Sequence, residues 1–178
     1  MEKYRVLKNN NEYFVEAENK NEARKIILEK ENIIVEKFEG FEDSIYWQRN
    51  PRYKGLKLGK SNTDMQIYGC ALMCWSKAFG KDPLEVNQLF IEKGVYSNDM
   101  IIFSKACEVL GGKNYEKNDD INRMPTQKET IKEVKLGKGQ HFVVRYNGSG
   151  KRWIFDPWRG TDLETNYYPF KSYRIFDK

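Results

Sequence analysis

Residues 140–156 read QHFVVRYNGSGKRWIFD, two strand-like runs joined by Asn147-Gly148-Ser149-Gly150, and the pairing of these runs decides how the chain is read. Asparagine and glycine supply the left-handed backbone angles that a hairpin turn needs. A four-residue turn over 147–150 pairs Tyr146 with Lys151. Counting outward sets His141 opposite Asp156, with both side chains on one face and Cβ atoms about 5 Å apart. The other face then pairs Phe142 with Phe155 and Val144 with Trp153, which reads as core. A slip of one residue would send His141 and Asp156 to opposite faces. A carboxylate beside an imidazole fixes the ring tautomer and stabilises its protonated form. A histidine–aspartate pair alone is more often structural than catalytic, so the chemistry turns on whether a nucleophile joins it.

Cys70 is the candidate. It follows Gly69 and opens the helical pattern CALMCWSKAF, closed by Gly80. Unpaired N–H groups and the dipole at a helix start favour a thiolate. Gly69 allows a substrate backbone to come close, and the Cys70 N–H is a candidate oxyanion donor. A second donor in this chemistry is often a glutamine amide. Gln48 and Gln66 both precede Cys70, while Gln140 adjoins His141 but points to the opposite face of its strand. Cys74, one helical turn after Cys70, and Cys107, within an apolar helix, read as core residues. An odd count of three cysteines argues against a disulfide framework. His141 is the single histidine and no second ligand pair follows Cys70 and Cys74, so no metal site is expected. No cofactor is implied.

Around this centre, residues 41–69 form a long loop rich in glycine, proline and polar residues. Asp82 and Pro83 open a helix whose inner face is Leu84, Val86, Leu89 and Phe90. A third helix is expected from about Asn98 to Leu110, stopped by Gly111-Gly112. The Thr126–Glu129 spacing resembles a capping box and predicts a helix to about Val134. YYPF and SYRIF near the end are strand candidates. Helices followed by strands give an α+β domain, with helices packed on an antiparallel sheet. Residues 1–40 read as a separate ββαβ unit. Its strands are YRVLK, EYFVEA and IIVEKFE, its turn is Asn9–Asn11, and a helix starts at Asn19 and Glu22.

Charged residues make up 32% of the chain, which suits a solvated surface, and the net charge of +5 is scattered rather than clustered. Nucleic acid is therefore not an expected partner. No run approaches the roughly 18 apolar residues that span a bilayer, and MEKYRVLKNNNEYF lacks the apolar segment of a signal peptide. The expected location is the cytoplasm. The density of Lys, Asn, Ile and Tyr points to an AT-rich genome, bacterial or phage.

WQRNPRYKGLKLG followed by YGCALMCWSKAFG, then PLEVNQLF, HFVVRY and FDPWRG, resembles in order the bacterial papain-like cysteine peptidases related to the bacteriocin (double-glycine leader) processing peptidases. The resemblance covers about residues 45–176. It implies a papain-like fold over 41–178, with Cys70 as nucleophile, His141 as general base and Asp156 as the residue that orients the base. It also implies Gln48 as oxyanion donor, with Gln66 as runner-up, and Trp158 and Arg159 at the substrate rim. Three features depart from the pattern. Met73-Cys74 stands where Thr-Ser is usual, and Asn50 replaces an aspartate. KLGKGQ stands where a Gly-Pro-Val strand normally precedes the histidine strand. The implied activity is cleavage of a peptide or isopeptide bond in a peptide or protein substrate. The alternatives are a catalytically silent binding module and a deamidase- or transglutaminase-like acyl transferase. The unit at 1–40 is an accessory element able to dock a protein partner.

Overall fold

The computed structural model describes residues 2–8, 11–18, 34–38, 44–125, 128–136, 139–148, 151–163 and 169–178. The chain divides into two compact units, Met1–Phe41 and Glu42–Lys178. In the first, strands β1 (Glu2–Lys8), β2 (Asn11–Ala17) and β3 (Ile34–Phe38) pair antiparallel in the order β2-β1-β3. In register, Val6 at the centre of β1 pairs with Tyr13 of β2 and Val35 of β3. Asn11 belongs to β2. Asn9, Asn10 and the expected helix from Asn19 lie outside the described residues.

The second unit combines helices with an antiparallel sheet. Helix α1 (Met65–Tyr68) leads directly into α2 (Cys70–Phe79), followed by α3 (Pro83–Glu92) and α4 (Phe103–Val109). A two-stranded ribbon, β4 (Tyr96–Ser97) and β5 (Met100–Ile101), separates α3 from α4. The sheet contains β6 (Lys113–Asn118), β7 (Thr130–Leu136), β8 (Gly139–Gly148), β9 (Lys151–Asp156), β10 (Thr161–Leu163) and β11 (Phe170–Asp177). Its order is β10-β9-β8-β7-β11-β6.

Helix α2 is the centre of the core. Leu72, Met73, Cys74, Trp75, Ser76 and Ala78 are all buried, so the helix is enclosed on nearly every side. The Ser76 hydroxyl donates to the Leu72 carbonyl at 2.8 Å, whereas the Trp75 indole N–H is buried without a partner among the described residues. The Trp75 ring lies 5.0 Å from that of Phe176 and 5.7 Å from that of Phe103. These contacts tie α2 to the last strand and to α4. Asp82 caps α3 through the Leu84 N–H, as its place before Pro83 leads one to expect.

Three expectations are corrected. The helix expected from Thr126 to Val134 is instead strand β7 from Thr130 on; residues 126–127 lie outside the described residues. Thr130, Ile131, Lys132, Glu133 and Val134 are all buried. A strand covered on both faces loses the alternation that identifies strands, and the Ile131–Val134 spacing then imitates a helix. This strand precedes the histidine strand, where KLGKGQ alone was expected. The helix expected from Asn98 begins at Phe103, because Asn98 takes a left-handed φ of 53° between β4 and β5 instead of capping a helix. Finally, the β8–β9 register differs by two residues. Val144 pairs with Phe155, Tyr146 with Trp153 and Gly148 with Lys151. Asn147 and Gly148 therefore extend the ladder, and residues 149–150 lie outside the described residues. His141 and Asp156 are diagonal neighbours rather than direct partners. A shift of two preserves the face of every side chain, so both remain on one side.

Trp75→Ala should lower stability by about 3–5 kcal/mol, because surrounding rings cannot collapse into the space. Urea unfolding followed by far-ultraviolet circular dichroism measures this. A loss below about 1 kcal/mol, typical of surface changes, would place Trp75 outside the principal core.

Candidate active site

A tight junction between two helices sets the position of Cys70. Asp64 caps α1 by accepting from the Gln66 N–H at 2.7 Å. Gly69 closes α1 by donating to the Met65 carbonyl at 2.9 Å, and its own carbonyl accepts from Met73 at 3.0 Å to start α2. A Cβ on Gly69 would lie 2.3 Å from the Met65 carbonyl oxygen. Glycine is thus needed for the chain to turn so closely, a steric reason internal to the protein rather than room for a substrate. Cys70 is the first residue of α2, half-buried, with no side-chain cap over the helix start. Its sulfur sits where the helix dipole is positive.

His141 reaches this point from β8. Its Nε2 lies 2.7 Å from Asp156 Oδ1, and both side chains are almost wholly buried. The ring is also hydrogen-bonded to Cys70. Burial works against a charged ring, but hydrogen bonds to Asp156 and Cys70 and the negative charge on both outweigh it and raise the His141 pKa to about 9. The imidazolium is therefore the favoured form at neutral pH. Its contribution to stability is complete below the ordinary value of 6.5 and is lost as pH rises through about 9.

Asp156 is itself held from several sides. Its Oδ1 accepts from the Trp158 N–H at 2.9 Å, its Oδ2 lies 3.5 Å from Arg159 Nε, and its carbonyl accepts from Gly160 at 2.8 Å. The loop before α1 clasps this turn. The Gln48 N–H donates to the Pro157 carbonyl at 3.0 Å and the Trp47 indole to the Trp158 carbonyl at 3.3 Å. Arg49 stacks over the Trp158 ring at 5.1 Å. A Cβ on Gly160, whose φ is +69°, would meet the Trp47 ring at 2.5 Å, so glycine serves both the turn and the contact. Trp158 lines the cleft, whereas Arg159 supports Asp156.

The two glutamines part company. Gln48 is fully buried and lines the cleft with Cys70 and His141. Its Nε2 donates to the Gln66 and Ile67 carbonyls at 3.0 and 3.1 Å, and its Oε1 is buried without a partner among the described residues. Gln66 turns away from the cleft and donates to the carbonyls of Arg49 and Asn50, tying α1 to the loop. Gln140 is exposed on the cleft wall. Cys74 and Cys107 are buried, and burial pushes both thiols up, Cys74 strongly. Only Cys70 of the three meets an imidazole and open space.

That space is a cleft of about 750 Å³. Ile67, Tyr68 and Met100 stand along it with more than half of each side chain exposed, an apolar surface beside the sulfur. Its wall also carries Lys117, Lys171, Arg174 and Glu133. Sequence reasoning did not single out these wall residues. Glu133 falls in the segment expected to be a helix, and the others come from segments far apart in the chain. Among the described residues, no group of three or more His, Cys, Asp or Glu is placed to hold a metal ion, and no helix is long and apolar enough to cross a membrane. Neither models of known protein families nor curated proteins match the chain.

Because the chain has one histidine, its imidazole resonances give an unambiguous titration by nuclear magnetic resonance. The midpoint should lie near 9, and fall in both Asp156→Asn and Cys70→Ala. A midpoint at or below 6.5, unmoved by either substitution, would contradict the arrangement.

Proposed function

We propose that the chain is a papain-like cysteine peptidase that cleaves a peptide or isopeptide bond through Cys70, His141 and Asp156. The observation that carries this reading is the imidazole of His141, bonded to the Cys70 thiol and, at 2.7 Å, to a buried carboxylate, beside an open cleft. The Cys70 Sγ proton resides on His141, whose imidazolium is the form favoured at neutral pH. The thiolate attacks the substrate carbonyl carbon and the carbonyl electrons move to oxygen. The Cys70 N–H and the Gln48 amide are the donors assigned to that oxyanion. Gln48 turns one N–H from the Ile67 carbonyl towards the substrate oxygen. When the tetrahedral species collapses, the C–N bond breaks and the imidazolium protonates the departing amine. His141 then removes a proton from water, which attacks the thioester, releases the carboxylic acid and restores the thiol. Asp156 holds the ring tautomer throughout. The three unpaired cysteines fit a reducing compartment such as the cytoplasm.

A second reading keeps the fold as a binding module without turnover. The specific observation in its favour is that both N–H groups of the Gln48 amide are already committed to backbone carbonyls. A deamidase or transglutaminase would use the same three residues with a glutamine side chain as acyl donor.

Incubation with a complex peptide mixture, read by mass spectrometry, separates these readings. The peptidase reading expects new chain ends with the native protein and none with Cys70→Ala. His141→Ala should lower turnover about 10²–10⁴-fold, and Gln48→Ala about 10²–10³-fold. Side chains converted from amide to acid without new chain ends would replace peptide cleavage by side-chain deamidation. Peptides retained but unaltered would favour the binding module.

A further inference from the structure

One charged cluster on the cleft wall has more positive charge than its own carboxylate neutralises. Arg174 on β11 pairs directly with Lys117 on β6. Like charges facing each other across adjacent strands oppose the pairing unless something offsets them. Glu133 is the carboxylate in this cluster. It already serves two cations, with Lys171 Nζ at 2.6 Å from one oxygen and Arg174 Nη2 at 2.7 Å from the other. The Ser172 hydroxyl also donates to it, at 2.8 Å. Lys117 has no ion pair among the described residues. The cluster thus holds three cations and one carboxylate, which pairs with two of them.

Arg174 is the least exposed of the three. Its guanidinium lies 4.7 Å from the Phe103 ring centroid and 5.1 Å from that of Phe142, and its Nε is buried without a hydrogen bond among the described residues. A buried guanidinium with an unfilled donor is costly, and a low-dielectric cleft wall strengthens its field. The cleft's other acid, Asp99, lies between β4 and β5 and accepts from the Thr63 hydroxyl at 2.6 Å. It belongs to a different element from this cluster.

We propose that Lys117, Lys171 and Arg174 form a carboxylate-binding subsite, which selects peptides carrying an acidic group at one fixed distance from the bond that is cut. The subsite rests on the reading of the cleft as a peptide-binding site. The carboxylate comes from an aspartate or glutamate side chain or from the peptide's own C-terminus. Arg174 and Lys171 bind it while keeping Glu133 between them, and Lys117 closes it from the neighbouring strand.

The test uses the full chain with Cys70→Ala, immobilised and exposed to random heptapeptides in two pools, free-acid and C-terminally amidated. Retained peptides are sequenced by mass spectrometry. An acidic side chain as the source gives Asp and Glu enrichment at one position in both pools. A C-terminal source gives retention of the free-acid pool alone. Either enrichment should fall about tenfold, the equivalent of 1.4 kcal/mol, when Lys117→Glu and Lys171→Glu are combined. Both side chains reach solvent. The enrichment should survive in Lys93→Glu, an exposed lysine outside the cleft. Absence of enrichment overturns the subsite, as does enrichment unchanged by the double reversal or lost equally in Lys93→Glu. Digestion of the same pools by the native chain keeps the two claims apart. Cleavage with no acidic preference overturns the subsite alone. Acidic retention without any cleavage supports the subsite and removes the peptidase reading.

Discussion

The contact between His141 and Asp156 is the constraint on which the site is built. A carboxylate removed from water needs a partner of opposite charge, and an imidazole surrounded by protein needs a reason to keep its proton. Each supplies the other's need at 2.7 Å. The consequences extend through the fold. The turn after β9 must wrap its N–H groups around Asp156, and the loop at 44–50 must lie against that turn. The same loop delivers Gln48 to the cleft. The pair therefore links the sheet, the turn and the segment before the helices into one support.

The second requirement is a helix start aimed at that pair. The α1–α2 junction meets it through Gly69, which permits a contact with the Met65 carbonyl that any side chain would block. Helix α2 is then locked by Trp75 between Phe103 and Phe176. Cys70 is thus placed by the most deeply packed element of the unit, while facing open space at its end. Cys74, one turn deeper, has the same chemistry without access and is held as a neutral thiol by its burial. The contrast between these two cysteines separates accessible from enclosed sulfur more sharply than composition can.

Much of this was legible in the residues themselves. Glycine before a helical pattern marked Cys70, and hairpin alternation put His141 and Asp156 on one face. The assumed turn was too long, yet the error of two residues was harmless because strand faces repeat every second residue. An error of one would have put His141 and Asp156 on opposite faces. Strand β7 was hidden because Thr130–Val134 is covered on both faces, leaving no alternation to see. The roles of Gln48 and Gln66 were also beyond local pattern. Both precede Cys70, and only the packing of the loop against α1 decides which amide meets the cleft. The charged cluster on the cleft wall depends on which strands become neighbours, since β11 inserts between β7 and β6. Nothing local announces that order.

Neutral-pH labelling with a thiol-selective electrophile, mapped by mass spectrometry to each cysteine, tests the central claim most directly. The account predicts rapid modification of Cys70, with Cys74 and Cys107 spared, and marked slowing at Cys70 in His141→Ala. Equal, slow labelling of all three sulfurs, indifferent to His141, would contradict it.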